Sequence, residues 1–298
     1  MHLLKRLFTP VAALLALGTA QSAAAKAPTP AKPALWAVAD ADTTIYLFGT
    51  IHLLPPEYQW RTRKLDDAVA ASQQLMVETI VDESNPHQML AALAGLAFSK
   101  DLPPISERVP PEKRAALDAA IKKSGLPRAH FDQMETWAAA FMLLGNQFRD
   151  LGLKAGAGVE NVLRSAFARQ GKGVGELESN HEQLSFFDAL PESAQRALLE
   201  GSISEPKDMS KDFDRMVRAW SSGDVDAVAA VFNRELSAVP ELREMLLKRR
   251  NANWSRWVER RMTTPGSLMI AVGAGHLAGD DSLIEMLQRG GYKVRRVQ

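Results

Sequence analysis

The tetrapeptide Gly-x-x-His occurs twice, each time after an apolar run that reads as a buried strand. Thr44-Ile45-Tyr46-Leu47-Phe48 leads into Gly49-Thr50-Ile51-His52, and Leu268-Met269-Ile270-Ala271-Val272 leads into Gly273-Ala274-Gly275-His276. Glycine tolerates positive φ and close backbone approach, so it suits a chain that turns as a strand ends. The imidazole then arrives just past the strand's carboxyl end, where open α/β sheets place their ligands. Two histidines delivered alike from opposite ends of the chain point to one shared site.

The intervening residues supply such a sheet sparingly. Ala34 to Val38, the turn Asp40-Ala41-Asp42 and Thr43 to Phe48 resemble a β-hairpin. Leu65 and Val69 then fall at helical spacing within 57–72, and Gln74 to Ile80 returns to a strand, a βαβ order that implies a parallel pair. Helices are expected over 111–124, ended by Gly125, over 131–151, over 159–170, ended by Gly171, over 181–190 and through most of 191–262. Short strands recur at 173–178, 267–272 and 292–297, with a helix over 282–289. The predicted fold class is α/β: a central mixed β-sheet with a large, mostly helical insertion between the N-terminal and C-terminal strands.

Lys5 and Arg6, the apolar run from Val11 to Leu17 and Ala23-Ala24-Ala25 together read as a secretory signal peptide over residues 1 to 25. A Pro- and Ala-rich leader over 26–33 then precedes a single domain over 34–298, in a mature protein expected to begin near Lys26 and most simply periplasmic. Nothing later has the length of a membrane span. Losing the signal lowers Lys plus Arg from 36 to 34 against 35 acids, a net charge of about −1 with histidines neutral. Such a balance argues against a nucleic-acid or anionic-membrane partner. The chain has no cysteine, which excludes thiol chemistry and thiolate metal sites.

Three strand ends each carry a candidate ligand: His52, Glu78 and His276. Neutral imidazole and carboxylate suit zinc, manganese, cobalt or iron(II), and two His with one carboxylate is a familiar open ligand set. Glu176 and Glu178 offer a further carboxylate. Glu178 is favoured because it ends its strand and opens the polar stretch Ser179 to Gln183. His181 reads as part of a helix cap. Among the basic residues Lys248, Arg249, Arg250, Arg256, Arg260 and Arg261, most form a solvated face. Arg250, beside Asn251, is the exception, suited to binding a carboxylate or a developing oxyanion. Trp254 and Trp257 read as core or groove aromatics, and His87 and His130 as incidental.

With these residues in this order, the chain resembles the TraB/GumN family, related to the Tiki metalloproteases. Phe48 to His52, Val77-Glu78, Gly175 to Glu178 with Glu182-Gln183-Leu184, Arg250-Asn251 with Trp254, and Ala271 to Gly279 carry the likeness. It covers nearly all of the chain after the signal. The resemblance implies an α/β fold similar to erythromycin-esterase-like and ChaN-like proteins, and a metal-dependent hydrolase with peptide-bond cleavage as its best-supported chemistry. It maps His52, Glu78 and His276 onto the metal, here Mn, Co or Zn. Glu178 and Arg250 fall to the catalytic side, and the partner is a peptide or small-molecule substrate. Glu160 stands where an Asp is common, and Asp82-Glu83-Ser84 matches weakly. Two alternatives stay open: a non-catalytic periplasmic binder of metal, haem or a small ligand, and an inactive accessory protein of envelope systems. Substrate, physiological metal and oligomeric state are not legible at this level.

Overall fold

Asp40 closes the first hairpin by accepting the backbone N–H of Thr43 at 2.8 Å and of Asp42 at 3.2 Å. This Asx-type turn brings β1 (Leu35–Ala39) antiparallel onto β2 (Thr43–Thr50). The structure, a computed structural model, describes residues 31–298 apart from 55–57, 81–90, 92, 151–157, 204–205 and 237–238. The expected signal peptide, most of the leader, His87 and Asp82-Glu83-Ser84 therefore lie outside the described residues. Ala31–Gln298 forms one compact unit. Among the described residues no helix is long and apolar enough to cross a membrane.

Helix α1 (Arg63–Ala71), capped by the Thr62 hydroxyl on the N–H of Leu65, leads into β3 (Gln74–Val77). The later strands are β4 (Gly173–Glu176), β5 (Gly266–Gly273) and β6 (Val294–Arg296), and the sheet order is β4-β3-β5-β2-β1-β6. β4, β3, β5 and β2 run parallel side by side, while β1 is antiparallel to both of its neighbours. The sheet is thus mixed, and four neighbouring strands end on one edge.

Strand period two sorts β5 onto two layers. Met269 and Ala271 pack with Phe48, Leu75, Leu65 and Val69 on one face, together with Leu163 and Phe167 of α5 (Val159–Arg169). Leu268, Ile270 and Val272 pack on the other face with Trp254 and Val258 of α11 (Arg249–Arg261) and Leu283 and Leu287 of α12 (Leu283–Arg289). Burying each large apolar side chain contributes about 1.5–3 kcal/mol, so these two layers dominate the stability of the sheet.

The helical insertion lies mainly between β3 and β4 and between β4 and β5. It includes α2 (Arg114–Ser124), α3 (Arg128–Asp132), α4 (Thr136–Asp150), α6 (Asn180–Asp188) and α7 (Glu192–Ser202). Then come α8 (Pro206–Ser222), α9 (Val225–Leu236) and α10 (Pro240–Arg243). The single helix expected over 131–151 is broken at 133–135. There the backbone turns aside to pair with another segment: Ser99 N–H donates to Gln133 O and Glu135 N–H to Ala97 O. The helix expected from 57 begins only at Arg63. The long helical run through 191–262 is interrupted by Gly223 at φ 70°, by residues around Pro240, and by a π turn at Glu244–Lys248.

Candidate active site at the carboxyl ends of the parallel strands

The four parallel strands deliver side chains in the order of the sheet: Glu178 after β4, Glu78 after β3, His276 after β5 and His52 after β2. Arg250 enters from the second residue of α11 and joins them. Its Nη2 lies 2.5 Å from Glu78 Oε2 and 2.5 Å from Glu178 Oε1, and its Nε lies 2.9 Å from the same Glu178 oxygen. Its Nη1 donates to His276 Nε2 at 3.0 Å and to Leu246 O at 3.2 Å. Gln183 Nε2 donates to Glu178 at 3.1 Å and more weakly to Glu78 at 3.3 Å. Glu78, Glu178, Arg250 and His276 are all buried.

Gly273 lines the hollow between these groups. A methyl placed on it would stand 3.1 Å from Glu78 Oε1, 3.6 Å from His276 Cδ2 and 3.8 Å from His52 Nε2. Three of the sequence-selected residues therefore converge within 4 Å of one point. The Gly273 N–H also donates to Glu78 Oε1 at 2.6 Å. Its φ is −50°, so the glycine is needed here for space rather than for a left-handed turn. The positive φ expected of this motif is not what it uses.

The tautomers of both histidines follow from their partners. Asn251 donates through Nδ2 to Asp281 O at 2.7 Å, which turns its Oδ1 toward His276 Nδ1 at 2.8 Å. An acceptor at that position requires His276 to carry its proton on Nδ1. Nε2 then keeps a lone pair, consistent with the N–H of Arg250 facing it. His52 Nδ1 lies 2.7 Å from Glu160 Oε1, so it too is protonated on Nδ1, with Nε2 on the hollow side. The Thr50 hydroxyl bonds the same Glu160 oxygen. Glu160 sits in the first turn of α5, whose start is fixed to the histidine loop by Val159 N–H on Ile51 O at 3.1 Å. Only a glycine fits at 158, because a Cβ there would come 2.2 Å from His52 O. Sequence reasoning noted Glu160 only as standing where an Asp is common, and did not place it against His52.

Electrostatics divide the two carboxylates. Burial works against the charge on Glu78, but Arg250 first, then His276, His52 and the Gly273 N–H hold it well below the usual carboxylate range. Burial pushes Glu178 up, and the Glu78 charge adds to that, against the pull of Arg250 and Gln183. Two carboxylates on one guanidinium thus share a site in which a first proton is easier to add, at Glu178, and a second is harder. Burial, with Arg250 beside it, pushes His276 down to about 3. The crowded inner edge of His52 disfavours its charge, yet Glu160 and Glu78 raise it to about 9. Its side chain is 68% exposed, so the cluster meets solvent on the His52 side.

These directions set a pH dependence. The unfolded chain protonates His276 near the ordinary imidazole value of 6.5, whereas the fold resists protonation down to about 3, so stability is lost as pH falls through that window. The His52 contribution has the opposite sign: it is present in full below 6.5 and is lost as pH rises toward 9. Exposure of that ring keeps its share small. Chelator-treated protein should therefore lose thermal stability from pH 6.5 to about 5, a range in which ordinary carboxylates remain ionised. His276→Gln should flatten that slope, and an equal slope in the variant would rule out His276 as its source.

The other sequence candidates lie apart from the cluster. Glu176 is half-buried and accepts the Ile80 N–H at 2.8 Å. His181 lies exposed in the first turn of α6, whose capping box joins Ser179 and Glu182. His130 is on α3 with a buried Nδ1 that has no partner. Lys248 and Arg249 pair with Glu244 on the exposed side. Trp254 is buried against the site, its ring 4.7 Å from the Arg250 guanidinium carbon and 4.5 Å from the His276 ring.

The donor chemistry fits a divalent cation once His52 releases its second proton: two imidazoles with Nδ1 held by an oxygen acceptor, beside an ionised carboxylate. Among the described residues, no three His, Cys, Asp or Glu side chains stand in an arrangement that would hold a metal ion as placed. Arg250 engages His276 Nε2 and Glu78 instead.

Comparison with known proteins places these residues in a wider group. The model of the TraB/PrgY/gumN family matches residues 34–296. Relatives include "Uncharacterized protein YbaP" of Escherichia coli strain K12, 26% identical over 257 residues, 86% of this chain and 92% of the relative. The protein of the same name from Shigella flexneri is 26% identical over 244 residues, 82% of this chain and 87% of the relative. No solved structure matches the chain.

Proposed function

The chain belongs to the TraB/PrgY/gumN family, and from that premise we propose that it is an exported, divalent-metal-dependent hydrolase acting on peptide bonds. The observation that carries this reading is the pair of imidazoles, each held through its Nδ1–H by an oxygen acceptor and each facing the hollow that Glu78 lines, His276 neutral and His52 able to bind a cation on releasing its second proton. The Glu160 carboxylate on His52 raises ligand basicity, and with the Asn251 oxygen on His276 it orients the two rings toward a cation. His52, Glu78 and His276 would hold Mn, Co or Zn, which supplies Lewis acidity and a more acidic water when bound.

The chain's own residues do the rest. Glu178, whose proton affinity is raised by burial, is suited to accept a proton and return it to the leaving group. Arg250, anchored on Glu178 through Nε and Nη2, offers its remaining N–H groups to a developing oxyanion. The sheet edge positions Glu178 and α11 positions Arg250, and the open His52 side admits an extended substrate.

A second reading is a binder without turnover. It is favoured by the way Arg250 closes the cluster onto two carboxylates and one imidazole, leaving few free polar groups. The test uses protein from a periplasmic extract, with an expected N-terminus near Lys26. It is loaded with Mn, Co or Zn and incubated with a broad peptide library, with and without chelator. Chelator-sensitive cleavage is the expected result. Metal uptake with no cleavage of any peptide would replace the hydrolase with the binder.

A further inference from the structure

We propose that Arg250 is the resident counter-ion of this site and that a divalent cation enters by exchange with its guanidinium. The proposal rests on the metal reading above and adds how the cation gains access. The two atoms that a cation would take from this set, His276 Nε2 and a Glu78 oxygen, are the atoms that Arg250 already engages, at 3.0 and 2.5 Å. One lone pair on a buried imidazole serves one partner at a time. The guanidinium and the metal therefore compete for these two atoms.

The guanidinium is built to give way on one side only. Nε and Nη2 form a fork on Glu178, at 2.9 and 2.5 Å. Nη1 and the second contact of Nη2 reach His276 and Glu78. Losing those two contacts leaves the fork intact and frees N–H groups on the side facing the hollow. An independent feature lies immediately upstream. The helix entering α11 makes a π turn at Glu244–Lys248, in which Arg249 N–H reaches back to Glu244 O. Nη1 of Arg250 is tethered to Leu246 O within this turn. π turns hold an extra residue in a helix and recur at functional sites. Here the turn lies where a small change in helical register would withdraw Arg250 from His276.

The experiment measures Zn²⁺ affinity of chelator-stripped protein by calorimetry, with no reference to activity. Arg250→Met removes the competing charge and should bind Zn²⁺ about tenfold tighter or more, the scale on which close buried charges couple. Arg250→Lys, which keeps a cation nearby, should gain less, and Glu78→Gln should abolish uptake in every background. Because Arg250→Met can fold poorly, a second measurement uses wild type. Nitrogen-detected spectra of the arginine guanidinium groups should show the Arg250 Nη signals changing on Zn²⁺ addition while Nε–H stays protected on Glu178. Folded Arg250→Met that binds no tighter than wild type would overturn the exchange, as would Zn²⁺ uptake that leaves the Nη signals unmoved. If neither wild type nor Arg250→Met takes up Zn²⁺, the metal reading fails first and the exchange falls with it. Uptake by Arg250→Met alone would overturn the exchange and make Arg250 a standing block on the site.

Discussion

Arg250→Met should lower the stability of chelator-treated protein by about 3–5 kcal/mol, the cost of removing one partner from a buried ion pair. The reason is what it leaves behind. Glu78 and Glu178 are both buried and both have Arg250 as their cationic partner, with Gln183 as a weaker neutral donor. At roughly 2–4 °C per kcal/mol for a chain of this size, the melting midpoint should fall by roughly 10 °C. Glu78→Gln with Glu178→Gln in the same background removes the stranded charges and should recover most of the loss. Thermal melts of the three proteins at neutral pH decide it. A midpoint for Arg250→Met within about 2 °C of wild type would mean the cluster is not the buried charge network described.

Much of this site was legible in the sequence for one physical reason. An apolar strand core followed at once by glycine or a carboxylate marks a strand's end, and parallel strands gather their ends on one edge. His52, Glu78, Glu178 and His276 were found in that way, and Arg250 through its pairing with Asn251. Glu160 was noted only as standing where an Asp is common and was given no place in the site, because an acid in the first turn of a helix ordinarily serves the helix dipole. Its contact with His52 depends on α5 docking against a loop more than a hundred residues earlier. Glu160→Gln keeps the shape but weakens the hold on His52 Nδ1. It should cost about 10- to 100-fold in metal affinity, as changes to such supporting partners do, and calorimetry with unchanged affinity would remove Glu160 from the account. The π turn and the break at 133–135 were hidden for a similar reason. Each reflects packing or pairing with distant segments, which helical periodicity in a short window does not encode.

Glu178→Gln should have the largest effect on turnover. It preserves size and a hydrogen-bonding oxygen for Arg250 while removing the carboxylate placed to carry a proton, so cleavage should drop about 10²- to 10⁴-fold. Metal content should change far less than in His276→Ala, because Glu178 faces Arg250 and Gln183 rather than the two imidazoles. Peptide cleavage and bound metal, measured on the same folded preparations, separate the two effects. Equal loss of metal in both variants would make Glu178 a ligand and not a proton carrier.

The central claim is that the ends of the parallel strands form one cation site. Crystals of the zinc-loaded protein, measured at the zinc absorption edge, test it most directly. The account predicts one strong anomalous peak bounded by His52 Nε2, His276 Nε2 and Glu78, with Arg250 drawn back onto Glu178. A peak elsewhere on the molecule, with the hollow beside Gly273 still filled by the guanidinium, would contradict it.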